Sequence, residues 1–192
     1  MPTGPDTAIP ARPATVTNST PHGRDRARSA VPHGRWNTPA MDTITEPAWT
    51  LRPAEPADLE AMTELRALVM RPDLERLGRY DEHRVRQRLR DIFAPEHTSV
   101  VLADGEFAGC VTMRPVEDGW WLENFYLSPA IHGQGIGSAV LRTLLERADA
   151  DGADVRLDVL QGSAARRLYE RHGFTLEHED PIDVYLVRRS GV

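Results

Sequence analysis

Residues 125–138 read Phe125-Tyr126-Leu127-Ser128-Pro129-Ala130-Ile131-His132-Gly133-Gln134-Gly135-Ile136-Gly137-Ser138. A strand ends at Leu127, a loop with glycine at every second position follows, and a helix opens with Ile136, Val140, Leu141, Leu144, Leu145 and Ala148 at helical spacing. Glycine lets the backbone turn tightly and bare successive N–H groups with no side chain in the way. Those groups, added to the positive end of the helix dipole, make an anion site suited to two linked phosphates. A glycine-rich strand-to-helix turn with no ligand is the plainer alternative, because short glycine patterns recur by chance.

The segments around this one set its context. Upstream, residues 98–102, 107–114 and 120–127 are strand-like, and Asp104-Gly105 and Asp118-Gly119 between them read as hairpin turns. An antiparallel meander therefore leads into the loop. Before it come a strand over 49–52 and a helix from Pro56 with Leu59, Met62, Leu65, Leu68 and Val69 on one side. A second helix over 81–93 turns Val85, Leu89 and Ile92 inward. The mixed-charge stretch 70–82 reads as a solvated connection between the helices, or as a place to orient an amine or an amino-acid carboxylate. Downstream, Val155, Leu157 and Val159 mark a strand, 164–171 a short helix closed by Gly173, and 174–176 with 182–187 a final hairpin. A dinucleotide-binding reading of Gly133, Gly135 and Gly137, with Asp158 near the acidic position, fails on three counts. Residues 129–131 lengthen a turn that should be tight, the preceding strands are hairpin-connected, and too little chain follows for a doubly wound sheet.

Composition narrows the classes. A chain of 192 residues, 40% hydrophobic, is long enough for one domain with a sizeable core. A net charge of −6 argues against general nucleic-acid binding, and no run approaches the roughly 18 apolar residues of a membrane helix. Cys110 is the only cysteine, which excludes an intrachain disulfide and fits a reducing, cytoplasmic setting. Every residue in the Lys+Arg count is arginine, so Schiff-base and P-loop lysine chemistry is excluded. His83, His97 and His172 show no ligand spacing, and no metal is expected. Residues 1–47 are rich in Pro, Thr and Arg and show no periodicity. They are expected as a disordered extension ahead of a domain over 48–192, with Met41 an alternative start.

The glycine loop resembles the acetyl-CoA motif of the GNAT N-acetyltransferase superfamily, Gln/Arg-x-x-Gly-x-Gly/Ala after a strand. Gly135 and Gly137 match, Gly133 is the frequent extra glycine, and His132 stands where Gln or Arg is usual. Ala164-Ala165-Arg166-Arg167-Leu168-Tyr169-Glu170-Arg171-His172-Gly173-Phe174 is similar to that family's tyrosine helix, with Ser163 where Asn is usual. The likeness covers about 48–190 and identifies the chain as a bacterial-type member. It implies an α+β fold, a mixed and mostly antiparallel twisted sheet flanked by helices, whose central strands splay apart.

The resemblance also implies roles. Acetyl-CoA would be the co-substrate and a small-molecule or peptide amine the acceptor, with no nucleic acid or membrane partner and a homodimer compatible. Tyr126, Leu127, His132, Gly133, Gln134, Gly135, Ile136, Gly137, Ser138 and Ser163 would hold the co-substrate. The Leu127 amide would stabilise the developing oxyanion, and Arg142 would lie within reach of a phosphate. Tyr169 would protonate the departing thiolate. Glu123 is the candidate base, although the family's base more often sits where Trp121 stands. Strand alternation puts Glu123 on one face with Trp121 and Phe125, and Asn124 on the other; aromatic surroundings would make its carboxylate more basic. A structural salt bridge is the other reading of Glu123. A non-catalytic acyl-CoA-binding module is the alternative for the whole chain. Cys110 has no activating base nearby and reads as packing.

Overall fold

A computed structural model describes residues 48–191; the extension expected over 1–47 lies outside the described residues. The first strand, β1 (Trp49–Pro53), is followed by one 3-10 turn at Pro56–Asp58 and by helix α1, Leu59–Arg76. Asp58 ties the two together, accepting from the Glu55 N–H at 2.8 Å and from Arg52 at 2.6 and 2.7 Å. Most of the stretch expected as a loop after Met70 is helix, because α1 runs on through Pro72. The proline forfeits a bond to the carbonyl of Leu68, an exposed residue whose carbonyl water can serve. Ion pairs Arg71–Glu75 (2.7 Å) and Asp73–Arg76 (3.0 Å) support the turn beyond it. Helix α2, Glu82–Ile92, is capped by Asp81, whose carboxylate accepts from the Arg84 N–H at 2.7 Å.

The meander follows as β2 (Thr98–Ala103), β3 (Glu106–Val116) and β4 (Gly119–Leu127). Asp104 and Gly105 both take positive φ, as a two-residue hairpin turn requires. After the glycine loop come α3 (Ile136–Ala150), β5 (Val155–Leu160), α4 (Arg166–Arg171), β6 (Thr175–Glu179) and β7 (Asp183–Arg188). The seven strands form one sheet in the order β1-β2-β3-β4-β5-β7-β6, antiparallel except where β4 meets β5. The main core packs Val140, Leu141 and Leu144 of α3 against Val101, Val111, Leu122, Leu157 and Leu186. On the opposite face Met62 of α1 and Leu89 of α2 close on Cys110 and Tyr126. Among the described residues no helix is long and apolar enough to cross a membrane.

Two departures from regularity place the site. Strands β4 and β5 pair only at Trp120 with Val155 and Trp121 with Arg156, and beyond this they separate. Within β4 a bulge falls at Asn124, φ +52°, where the pairing with β3 slips between Thr112–Glu123 and Cys110–Tyr126. Bulges sharpen strand twist, which bends the end of β4 away from β5. The bulge also overturns the expected alternation. Phe125 and Leu127 join the α3-side core with Leu122, so Phe125 lies on the face opposite Glu123, and Asn124 shares the face of Tyr126. Asparagine tolerates positive φ better than most residues, and one such residue moves every later side chain to the other face.

Candidate active site

The loop between β4 and α3 opens with a 3-10 turn at Pro129–Ile131 and closes on Gly133 (φ +78°) and Gly135 (φ +81°). These two left-handed positions turn the chain so that the first intrahelical bond is made by the Ala139 N–H to the Gly135 carbonyl, at 3.0 Å. Among the described residues no N–H from Gly133 through Ser138 finds a backbone acceptor. No acidic residue stands in the first turn of α3, so the positive helix end is not neutralised. An added Cβ at Gly133 or Gly135 would meet nothing within 4 Å, so the concavity is open. This donor set fits a pyrophosphate. Ile136 offers only its amide, since its side chain is buried in the core. Gln134 bonds back to the Ala130 carbonyl at 3.1 Å, and Arg142 is exposed on α3.

The strand leading into the loop presents a free edge. Ser128 donates its N–H to the Ala108 carbonyl at 2.8 Å, so by alternation the Leu127 N–H and carbonyl point away from β3, into the gap beside β5. His132, in the place of the usual Gln or Arg, brings a ring nitrogen 3.1 Å from the Leu127 carbonyl and fastens the loop to that edge. Tyr126, one residue earlier, spends its backbone groups on Cys110 of β3 and reaches the site through its phenol alone. That phenol accepts from buried Arg66 at 3.0 Å and donates to Asn124 at 3.3 Å. Asn124 donates to Thr112 (3.4 Å), which meets Thr98 (2.9 Å), which donates to the Ala94 carbonyl (2.8 Å). A satisfied chain of this kind fixes the bulge rigidly. Burial pushes the Tyr126 phenol up, with Arg66 opposing.

Across the gap, Ser163 caps the turn into α4 only loosely, through Ala165 N–H at 3.4 Å. The guanidinium of Arg76, at the end of α1, bonds the Gln161 carbonyl and covers Gly162, closing this side of the loop. Tyr169 is 6% exposed, its ring edge-on to Phe174 with centroids 5.7 Å apart. Its hydroxyl has no hydrogen-bond partner among the described residues. Burial raises the phenol, and Tyr126 and Asp158 raise it further, so the group keeps its proton at neutral pH and faces both of them. Cys110 donates to the Asn124 carbonyl at 3.4 Å, and burial pushes its thiol up to about 12, which excludes a ready thiolate nucleophile.

Glu123 stands beside the opening on the face away from α3, held by Arg114 Nε at 3.1 Å, so its surroundings are not the purely aromatic ones expected. Opposite it is a residue that the sequence offered only as a failed nucleotide ligand. The pairing of Trp121 with Arg156, carried two positions on, sets Glu123 against Asp158 across the opening. Val155, Leu157 and Val159 take the core face of β5, leaving Asp158 on the open one beside Tyr185, with Asp183 on the same face. Asp158 is accessible yet hemmed in. This partial desolvation raises its carboxyl above the usual range; Arg88 opposes the rise and Glu123 adds to it. An acid on the polar side of an alternating core strand was the available signal. Among the described residues there is no group of three or more His, Cys, Asp or Glu able to hold a metal ion.

An open strand edge, an amide nest, a buried phenol and two facing carboxylates thus converge on one opening. The sequence pattern of the acetyltransferase (GNAT) family matches residues 60–174. A search of curated protein sequences gives no match. Among solved structures, the PaiA N-acetyltransferase of Thermoplasma acidophilum in complex with coenzyme A is similar at a TM-score of 0.62. Its identity is 20%, over 74% of this chain and 99% of that one. The ribosomal-protein-S18-alanine N-acetyltransferase of Escherichia coli is similar at 0.57, with 19% identity over 76% and 96%. The N-acetylglutamate synthase of Neisseria gonorrhoeae, complexed with coenzyme A and N-acetyl-glutamate, follows at 0.56, with 21% identity over 77% of this chain and 36% of that one. These structural likenesses show the shared fold, and the family match covering most of the domain shows that the chain belongs to the acetyltransferase (GNAT) family, enzymes that use acetyl-CoA as co-substrate.

Proposed function

We propose that the protein moves an acetyl group from acetyl-CoA to a primary amine, small-molecule or peptide, by direct attack in a ternary complex. The observation that carries this reading is the β4–β5 opening, where among the described residues the amides of residues 133–138 have no backbone acceptor at one end and the Tyr169 phenol has no partner beside facing carboxylates at the other. In this reading the amides of Gly133, Gln134, Gly135, Ile136, Gly137 and Ser138 grip the pyrophosphate. The Leu127 edge pairs with the amides of the pantetheine arm, as an added strand would, with Ser163 across the gap. The Leu127 N–H lies on the edge where an oxyanion needs a donor. Acetyl-CoA supplies a thioester carbonyl open to attack. Tyr169 donates its proton to the departing sulfur, and a carboxylate at the opening relieves the acceptor ammonium of its proton; the sequence nominates Glu123.

Thiol release from acetyl-CoA, measured against a panel of primary amines, tests the reading. Turnover with at least one amine is expected. Tight coenzyme A binding with no turnover on any amine would instead favour a non-catalytic acyl-CoA-binding module. A cytoplasmic location and self-association as a homodimer are proposed with it; cell fractionation and light scattering read these two points.

A further inference from the structure

The two carboxylates at the opening are not equivalent, and the difference bears on the reaction proposed above, on which this inference rests. Glu123 is committed to Arg114 at 3.1 Å. Among the described residues Asp158 has no ion pair, and its charged form is favoured only by the more distant Arg88 and by its own backbone N–H. Each element around Asp158 turns a polar group towards it. From β4 come Glu123 and the Tyr126 phenol, from α4 the Tyr169 phenol, and from α2 the Arg88 guanidinium. From β7 come Asp183 and Tyr185, the latter stacked on His178 of β6 at 4.0 Å. Arg156, two residues earlier on the same face of β5, is occupied by Glu177 at 3.1 Å. The Tyr169 phenol, 6% exposed and without a hydrogen-bond partner among the described residues, faces this same carboxylate. Proton acceptor and proton donor therefore flank one point in the opening.

We infer that Asp158 is the base that takes the acceptor's proton, with Glu123 across the opening as a second contact for the same nitrogen. The incoming R–NH3+ gives one proton to the Asp158 carboxylate. The freed lone pair forms the C–N bond to the thioester carbonyl carbon as the C–S bond breaks. The departing sulfur takes the Tyr169 proton, and the second proton leaving nitrogen restores the phenol. Asp158 then returns its proton to water, so each turnover releases one H+. The Glu123 carboxylate is already engaged by the Arg114 guanidinium, whereas Asp158 has no such ion pair among the described residues. A raised carboxyl is ionised only above its raised pKa, so the acidic limb of the pH–rate profile lies above the ordinary carboxylate range. Glu123 raises Asp158 and Arg88 lowers it. Glu123→Gln therefore moves the limb to lower pH and Arg88→Gln moves it to higher pH, a pair of opposite shifts that a structural role for Asp158 would not give.

The test uses the full chain with n-butylamine as acceptor. Asp158→Asn is expected to lower kcat/KM at neutral pH by about 100-fold and to erase the acidic limb. Coenzyme A affinity stays unchanged, and Asp158→Glu recovers part of the rate. A limb that persists in Asp158→Asn and vanishes in Glu123→Gln overturns the inference in favour of Glu123. A second readout needs no turnover. In protein carrying 13C at aspartate carboxyls, with coenzyme A bound, the Asp158 signal should move when n-butylamine is added. An Asp158 signal indifferent to amine also overturns the inference. Failure to bind coenzyme A at all would count against the function proposed above and not against the choice of base.

Discussion

Replacing Gly135 by alanine tests the nest where its geometry is most demanding. Gly135 sits at φ +81°, ψ −9°, immediately before α3. An L-residue in that region costs about 1–2 kcal/mol through contact of its Cβ with the following carbonyl. Nothing lies within 4 Å of the added methyl, so steric crowding adds nothing to this figure. The chain can respond in two ways. If the loop holds, the whole cost falls on stability, and Tm drops by about 2–8 °C for a chain of this size. If the loop relaxes towards negative φ, the amides leave their common focus, and the same energy appears as a coenzyme A Kd weakened by about 5- to 30-fold. Calorimetric titration with coenzyme A and thermal unfolding on the same preparation divide the cost between the two. Gly137→Ala is the control, because Gly137 lies inside the helix and its new methyl would point at Leu127 Cδ1, 3.1 Å away, rather than into the concavity. Gain in helix propensity of up to about 1 kcal/mol offsets that crowding, so Tm and Kd should stay near wild type. Gly135→Ala protein that melts and binds as the wild type does would refute the nest.

Tyr169→Phe keeps the ring packed on Phe174 and removes a hydroxyl with no partner among the described residues, so Tm should hold while kcat falls by about 100-fold or more in steady-state assays; a wild-type kcat removes the phenol from the chemistry. Cys110→Ala should leave turnover intact, and the native thiol should resist iodoacetamide at pH 8 until denaturant is added, because burial holds it at about 12. Fast labelling of folded protein would contradict that burial. Asp58, clasped by Arg52 and the Glu55 N–H, is held below its unfolded value near 3.9, so its contribution to stability is present above that pH and is lost as pH falls through the lower folded value. Urea melts of wild type and Asp58→Asn should therefore converge on acidification; a gap that does not narrow shows that the pair contributes nothing by charge.

Much of this was legible because it is written in local chemistry. Asp104-Gly105 can make only a tight hairpin, Gly173 takes positive φ just past α4, and the alternate glycines before Ile136 bare the amides of a helix start. The mixed charge of 70–82 suggested a solvated connection, but charge on an exposed helix turn looks the same; Pro72 lost a bond only at a carbonyl on the solvent side, and ion pairs carried α1 on to Arg76. The bulge at Asn124 leaves no mark in a hydrophobic pattern, since aromatic and apolar residues occupy both faces of β4. Asp158 was overlooked for another reason. On a strand whose alternate residues are apolar, a carboxylate reads as solvated surface, and only the separation of β4 from β5 turns that surface into the wall of a cleft.

The bulge is where fold and chemistry meet. In an unbroken strand Glu123 and Tyr126, three residues apart, would lie on opposite faces. The additional residue at Asn124 returns them to one face, while Leu122, Phe125 and Leu127 all stay in the α3-side core. It also swings the end of β4 from β5, which leaves Leu127 without a strand partner on that side. One positive φ therefore does two things that acetyl transfer needs, opening a slot for an extended arm and gathering acidic and phenolic groups beside it. The hydrogen-bonded chain from Arg66 through Tyr126, Asn124 and Thr112 to Thr98 joins α1 to β4, β3 and β2, so the bulge is held by elements on the face away from α3. Loss of the Asn124 side chain would leave Tyr126 without its acceptor and Thr112 without a donor, and a buried network missing one member is worse than none. The sheet's irregularity is thus a requirement of the site, held by side chains that need never touch the substrate.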